Sequence, residues 1–140
     1  MLRLITLALL LASLAACSHL PNFSLGSPSP AEQEKTARQK AKQDLASGIG
    51  YYQDGNYIAA QRAIQGALNL GLTDRQDKVD ARKYLAFIAC LNQRQAECKN
   101  QFRAAFEVDP KFTLSPAEIG HPLWGPVFKS VREEQARKAK

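Results

Sequence analysis

The amino-acid sequence predicts an all-α fold: two helical hairpins in succession, closed by a C-terminal capping helix. Three observations lead there. Past residue 30, apolar residues recur at three- to four-residue spacing, and no stretch of any length alternates apolar with polar residues as a half-buried strand would. Turn chemistry separates the periodic stretches at Gly55-Asn56 and at Asn92-Gln93-Arg94. Helix-stop signals follow two of the segments, Gly71 after one and Asp109-Pro110 after another.

In chain order, the first helix is expected from Ala31 to Asp54, opening on Glu32 and Glu34 and continuing in good helix formers. The second runs from Tyr57 to Leu70, with Tyr57, Ala60, Ile64, Ala67 and Leu68 on one face. Gly71 fits the left-handed position that ends such a helix. Asp74 or Asp77 starts the third, in which Val79, Ala81, Tyr84, Leu85, Ile88 and Ala89 form the apolar face. The fourth spans Ala96 to Val108, with Phe102, Ala105 and Phe106 inward, and stops at Asp109 because a following proline disfavours the helical conformation. Ser115 and Glu118 read as a capping box around Pro116, giving a very short helix halted by Gly120. A last helix follows from Pro126 to about Ala136, with Val127, Phe128 and Val131 along one edge.

The two hairpins also resemble each other. Gly48, Tyr51, Gly55, Tyr57, Ala60, Ile64, Ala67 and Leu68 fall at the spacings of the tetratricopeptide repeat. A weaker copy places Leu85, Ala86, Ala89, Cys98, Phe102, Ala105 and Pro110 correspondingly, offset by 38 residues. The resemblance implies repeats at about 41–74 and 79–112, a capping segment at 113–138, and one helical domain over 31–140 shaped as a short α-solenoid. Most of these side chains are core in any helical hairpin pair, so they speak for a fold more than for a function.

The chain's beginning carries a different signal. Arg3 precedes an apolar run from Leu4 to Leu11, then Leu14-Ala15-Ala16-Cys17. This pattern describes a secretory signal peptide over 1–16, too short to span a bilayer. It resembles the lipobox of bacterial lipoproteins, which implies cleavage before Cys17 and lipidation of that cysteine, a covalent anchor stable with two or more acyl chains. Ser18 stands where aspartate commonly marks inner-membrane retention in such lipoproteins. The resemblance therefore implies the outer membrane facing the periplasm, with the inner membrane as the other destination. Residues 17–30, rich in Ser, Pro and Gly, read as a flexible spacer that reaches about 30 Å or more if extended in the polyproline manner. Net charge is +6, and +5 once Arg3 is removed, spread along the chain apart from the tail from Arg132. A solvated surface accounts for it, and nucleic acid is not an expected partner in that compartment.

Cys90 and Cys98 remain as a pair, one near the end of the third helix and one near the start of the fourth, with the turn folding them together. In an oxidising compartment such a pair reads as a disulfide. The spacing is not C-x-x-C and no histidine lies nearby to complete a metal set. Trp124 beside His121 has two readings: an exposed anchor for a partner, or a residue packed under the last helix with an ordinary hydrogen bond for the histidine.

No catalytic constellation, phosphate loop, nucleophile elbow or histidine-rich metal set is present in the sequence, so an enzyme, a cofactor or a small-molecule substrate is not expected. The block from Cys90 to Phe128 covers about 40 residues and contains Phe-x-x-Ala-Phe-x-x-Asp-Pro and Ser-Pro-Ala-Glu-Ile-Gly-His-Pro-Leu-Trp-Gly-Pro-Val-Phe. It resembles small tetratricopeptide lipoproteins associated with type VI secretion. That resemblance implies an adaptor anchored to a membrane by its lipid, binding a periplasmic or membrane protein of a secretion complex. A pilotin for a secretin and a peptidoglycan-associated structural lipoprotein are the alternatives. A groove between the hairpins draws on the first helix of each, so Tyr52, Asn56 and Lys83, with Trp124, are the candidate binding residues.

Overall fold

A computed structural model describes residues 28–138 of the chain. Cys17, the expected signal peptide and nearly all of the expected spacer lie outside the described residues. Within them every regular element is a helix: α1 Pro30–Gln53, α2 Tyr57–Leu70, α3 Arg75–Leu91, α4 Gln95–Val108, α5 Pro116–Ile119 and α6 Gly125–Lys138. The helices pack in pairs, α1 on α2 and α3 on α4. Contacts of α3 with α2 and α1 join the hairpins, and α6 closes on α4.

The helix ends follow from local chemistry. Ser29 caps α1: its hydroxyl accepts the Glu32 N–H, and the Glu32 carboxylate accepts the Ser29 N–H at 2.8 Å. Pro30 thereby sits at the first helical position, where its missing N–H costs nothing. The cap and the first helical position are thus the last two residues of the expected spacer. Asp74, rather than Asp77, starts α3, its carboxylate accepting the Gln76 and Asp77 amides. Gly71 ends α2 at φ 90°, as its position in the sequence implies. Between α3 and α4 the turn is closed by Gln93 at φ 58°, a left-handed residue that the sequence did not announce, and Arg94 N–H reaches Ala89 O at 2.8 Å. The short helix α5 carries the expected capping box of Ser115 and Glu118.

Two apolar clusters share the interior. One lies between the hairpins, where Leu45, Ile64, Leu72, Leu85 and Ile88 meet around Ala41, Ala60, Ala67 and Ala81. The other fills the space beneath α6: Phe87, Phe102, Phe106, Phe112, Trp124, Phe128 and Val131 pack with the buried cysteines. Phe128 is fully buried and its ring meets Phe102, Phe106 and Phe112 at 5.3–5.6 Å. A buried phenylalanine of this kind contributes about 2–3 kcal/mol, so α6 is held chiefly by this one side chain and Val131. The cysteines join as a disulfide between α3 and α4, with an S–S distance of 2.06 Å and Cα atoms 5.2 Å apart.

Candidate functional site

Tyr52 leaves α1 near its C-terminal end and lies half-buried between the two clusters. Its ring meets Tyr57 at 5.5 Å, Tyr84 at 5.0 Å and Phe87 at 6.2 Å. The aromatic contacts continue from Phe87 to Trp124, stacked at 4.3 Å, and from Trp124 to His121, stacked at 3.3 Å. One line of rings thus crosses α1, α3 and the segment between α5 and α6. Within this line Phe87 and Trp124 are buried, while Tyr52, Tyr57 and Tyr84 keep part of their surface open. Tyrosine rings carry large contact area at small rotamer entropy, which suits them to a binding face.

Lys83 and Glu118 charge the same face. The Lys83 ammonium donates to Glu118 Oε1 at 2.9 Å, lies 3.5 Å from Asp80 and sits 4.8 Å from the centre of the Tyr84 ring. Its side chain is only 14 % exposed, so this pair is not an ordinary surface contact. Glu118 meanwhile accepts the Ser115 N–H on its other oxygen at 2.9 Å. A single carboxylate therefore completes the α5 cap and fastens α5 to α3.

The electrostatics follow from this placement. Burial works against the Lys83 ammonium, but the hydrogen bond and charge of Glu118 more than offset it, holding its pKa above the usual lysine value. Burial likewise opposes the Glu118 carboxylate, yet the bonds from Lys83 and Ser115 hold it below the usual range. Burial first, then Tyr57, Tyr84 and Glu118, pushes the Tyr52 hydroxyl up to about 12.

Of the residues expected at a binding face, Tyr52 and Lys83 come together here through Tyr84 and Glu118. Asn56 stands beside them in the α1–α2 turn, but its side chain caps α2 by accepting the Ala59 N–H at 3.2 Å. Trp124 is placed otherwise than a partner anchor requires. It is 7 % exposed, its indole N–H donates to Glu118 O at 2.8 Å, and Phe87 covers one ring face while His121 covers another. Its second reading, packing under the cap, describes this position, and the exposed residues beside it are Pro122 and Leu123. Glu118 and Tyr84 were not anticipated as site residues. The sequence marks Glu118 as a capping residue and Tyr84 as core, and neither label reveals a neighbour on another element.

Among the described residues no group of three or more His, Cys, Asp and Glu side chains is arranged to hold a metal ion, and no helix is long and apolar enough to cross a membrane. Comparisons with protein-family models, with curated proteins and with solved structures find no match to the chain.

Proposed function

We propose that the chain is a membrane-tethered adaptor. It is lipidated at Cys17, faces the periplasm from the outer membrane, and uses a tetratricopeptide-like pair of hairpins to bind a segment of another envelope protein. The resemblance of the Cys90–Phe128 block favours a type VI secretion apparatus as the setting. The observation that carries the binding role is the half-buried face of Tyr52, Lys83 and Tyr84, which spans both hairpins and is rigidified by Phe87 and Glu118. Such a face is ordered before a partner arrives, so binding costs little side-chain entropy.

Placing a photo-cross-linking amino acid at Tyr52 or Tyr84 in the full chain tests the reading directly. The expected result is a discrete cross-linked envelope protein from either position and none from Lys99 on α4. Cross-links from Lys99 alone, or none from Tyr52 and Tyr84, would sink it. The chain should incorporate labelled palmitate in cells and Cys17→Ser should abolish that incorporation, whereas label retained by Cys17→Ser, or never taken up by the parent chain, refutes the tether. A secretin subunit as the cross-linked protein would turn the reading toward a pilotin.

A further inference from the structure

Apart from the residues of the aromatic face, α2 and α4 do not pack directly on one another, and α3 touches both. The recess there measures about 360 Å³ and is lined by Gln65, Leu68, Asn69, Leu72, Lys78, Arg82 and Val108. Its chemistry is one-sided. Lys78 and Arg82, one helical turn apart on α3, bring two positive charges, and neither forms an ion pair among the described residues; Arg82 donates only to the neutral Gln101 at 3.1 Å. Among the carboxylates nearby in the chain, Asp77 lies 3.8 Å from Lys42, Asp80 pairs with Lys83 and Glu97 with Arg94, while Asp74, one turn before Lys78, turns one carboxylate oxygen to the Gln76 and Asp77 amides. Arg94 also donates to Gln61 at 2.8 Å, bridging the α3–α4 turn to α2.

From this geometry we infer a second binding site, separate from the aromatic face, for an acidic polypeptide segment. Two unpaired cations answer a carboxylate, and both are partly buried, which raises the value of a charge that enters. Gln65 Nε2 donates to Asn69 Oδ1 at 3.2 Å, which leaves the Gln65 oxygen as acceptor and the Asn69 amide as donor toward a peptide backbone. Leu68, Leu72 and Val108 give an apolar floor for a neighbouring aliphatic side chain. A membrane surface fits less well, because the cations stand inside a recess between helices and not on a flat face. The chain's own N-terminal segment is a poor occupant too, since residues 1–29 contain no Asp or Glu.

The test is a titration of the full chain, in mild detergent and at low salt, with a short fluorescein-labelled peptide of Asp-Leu-Ser repeats. A twin peptide with Asn for Asp serves as the comparison. The site predicts saturable anisotropy for the acidic peptide, weakening with added salt, and none for the twin. Lys78→Gln should weaken binding about threefold and Lys78→Gln with Arg82→Gln about tenfold or more, as expected for partly exposed charge pairs. Helical circular dichroism of both variants should match the parent, and Lys78→Gln alone keeps the test open if Arg82→Gln disturbs the fold. Equal binding of the twin, unchanged binding by Lys78→Gln, or no binding by the parent chain overturns the site. So does a Lys78-dependent attachment to vesicles of anionic phospholipid without peptide binding.

Discussion

Glu118 shows how much one residue can be asked to do. Its two oxygens hold the Ser115 amide and the Lys83 ammonium at once, each at 2.9 Å. Replacing it by Gln keeps the size and can keep the amide contact, but leaves Lys83 with only Asp80 for compensation. Because the pair still touches water, the expected loss is about 1–2 kcal/mol near neutral pH. The pH dependence has a definite sign. The Glu118 pKa lies below its ordinary 4.5, so its contribution is present above that value and lost as pH falls through the folded pKa. The Lys83 pKa lies above its ordinary 10.5, so its contribution is present below that value and lost only as pH rises through the folded pKa. Urea unfolding of Glu118→Gln against the parent should therefore show a difference that is flat from about pH 6 to 9 and shrinks on acidification below 4.5. A difference that persists unchanged into acid would mean that shape, and not charge, is what Glu118 supplies. Nothing in the sequence forecasts the Lys83–Glu118 pair, because the partners are 35 residues apart and lie on different helices.

At the scale of the element, close approach and covalent closure each leave a testable mark. Gly48 of α1 faces α2 so tightly that a Cβ there would press into the Ile64 side chain and the backbone of Ala60 and Ile64. Gly48→Ala should push the two helices apart and cost about 1–3 kcal/mol, whereas Gly50→Ala, where a Cβ meets nothing, should be neutral or slightly stabilising. Thermal melts of the two variants separate packing from helix propensity, and equal effects would refute the contact. The disulfide closes eight residues of sequence separation between α3 and α4. A loop this short corresponds to about 2–3 kcal/mol in the chain-entropy account. The Cys90→Ala, Cys98→Ala double variant should lose about that much in denaturant unfolding, while a loss well under 1 kcal/mol would show that packing alone holds the hairpin. These two features were legible from residues alone: a glycine inside a helical run, and two cysteines flanking a turn. The helices were legible for the same reason, since periodicity and caps are local. For Trp124 the sequence allowed both a packed and an exposed reading, because the run from His121 to Pro126 has no period to say which way its rings face, and the packed one describes its position. The recess between α2 and α4 was hidden, since it is lined by helices that are not sequence neighbours.

Across the whole molecule, the helix with the most unusual proportions is α1, 24 residues long against 14 in its partner α2. Its first buried residue is Ala41, and before that only Ala37 is even partly covered. The segment from Pro30 to Lys40 is therefore a polar helical extension that leaves the packed domain, about 16 Å long at 1.5 Å per residue. An isolated helix of that length is marginal in water. It is sustained here by continuation into the packed half, by the Ser29–Glu32 box, and by the Glu34–Arg38 and Lys40–Asp44 pairs spaced one turn apart. If the chain is tethered at Cys17, this extension sets the domain further from the membrane as a stiff piece, independently of whatever precedes it. Stability and reach then separate. Deleting residues 31–38 should change the unfolding free energy of the domain by no more than about 0.5 kcal/mol, because no buried side chain is removed. The amides of that segment should exchange with solvent far faster than those of α3, whose residues from Leu85 to Cys90 are all buried. The same deletion should shorten, by about 12 Å for its eight residues, the span over which a cross-linker links the domain to membrane-facing partners. A large loss of stability would show that the extension packs against something in the folded protein. An unchanged cross-linking span would show that it does not act as a spacer.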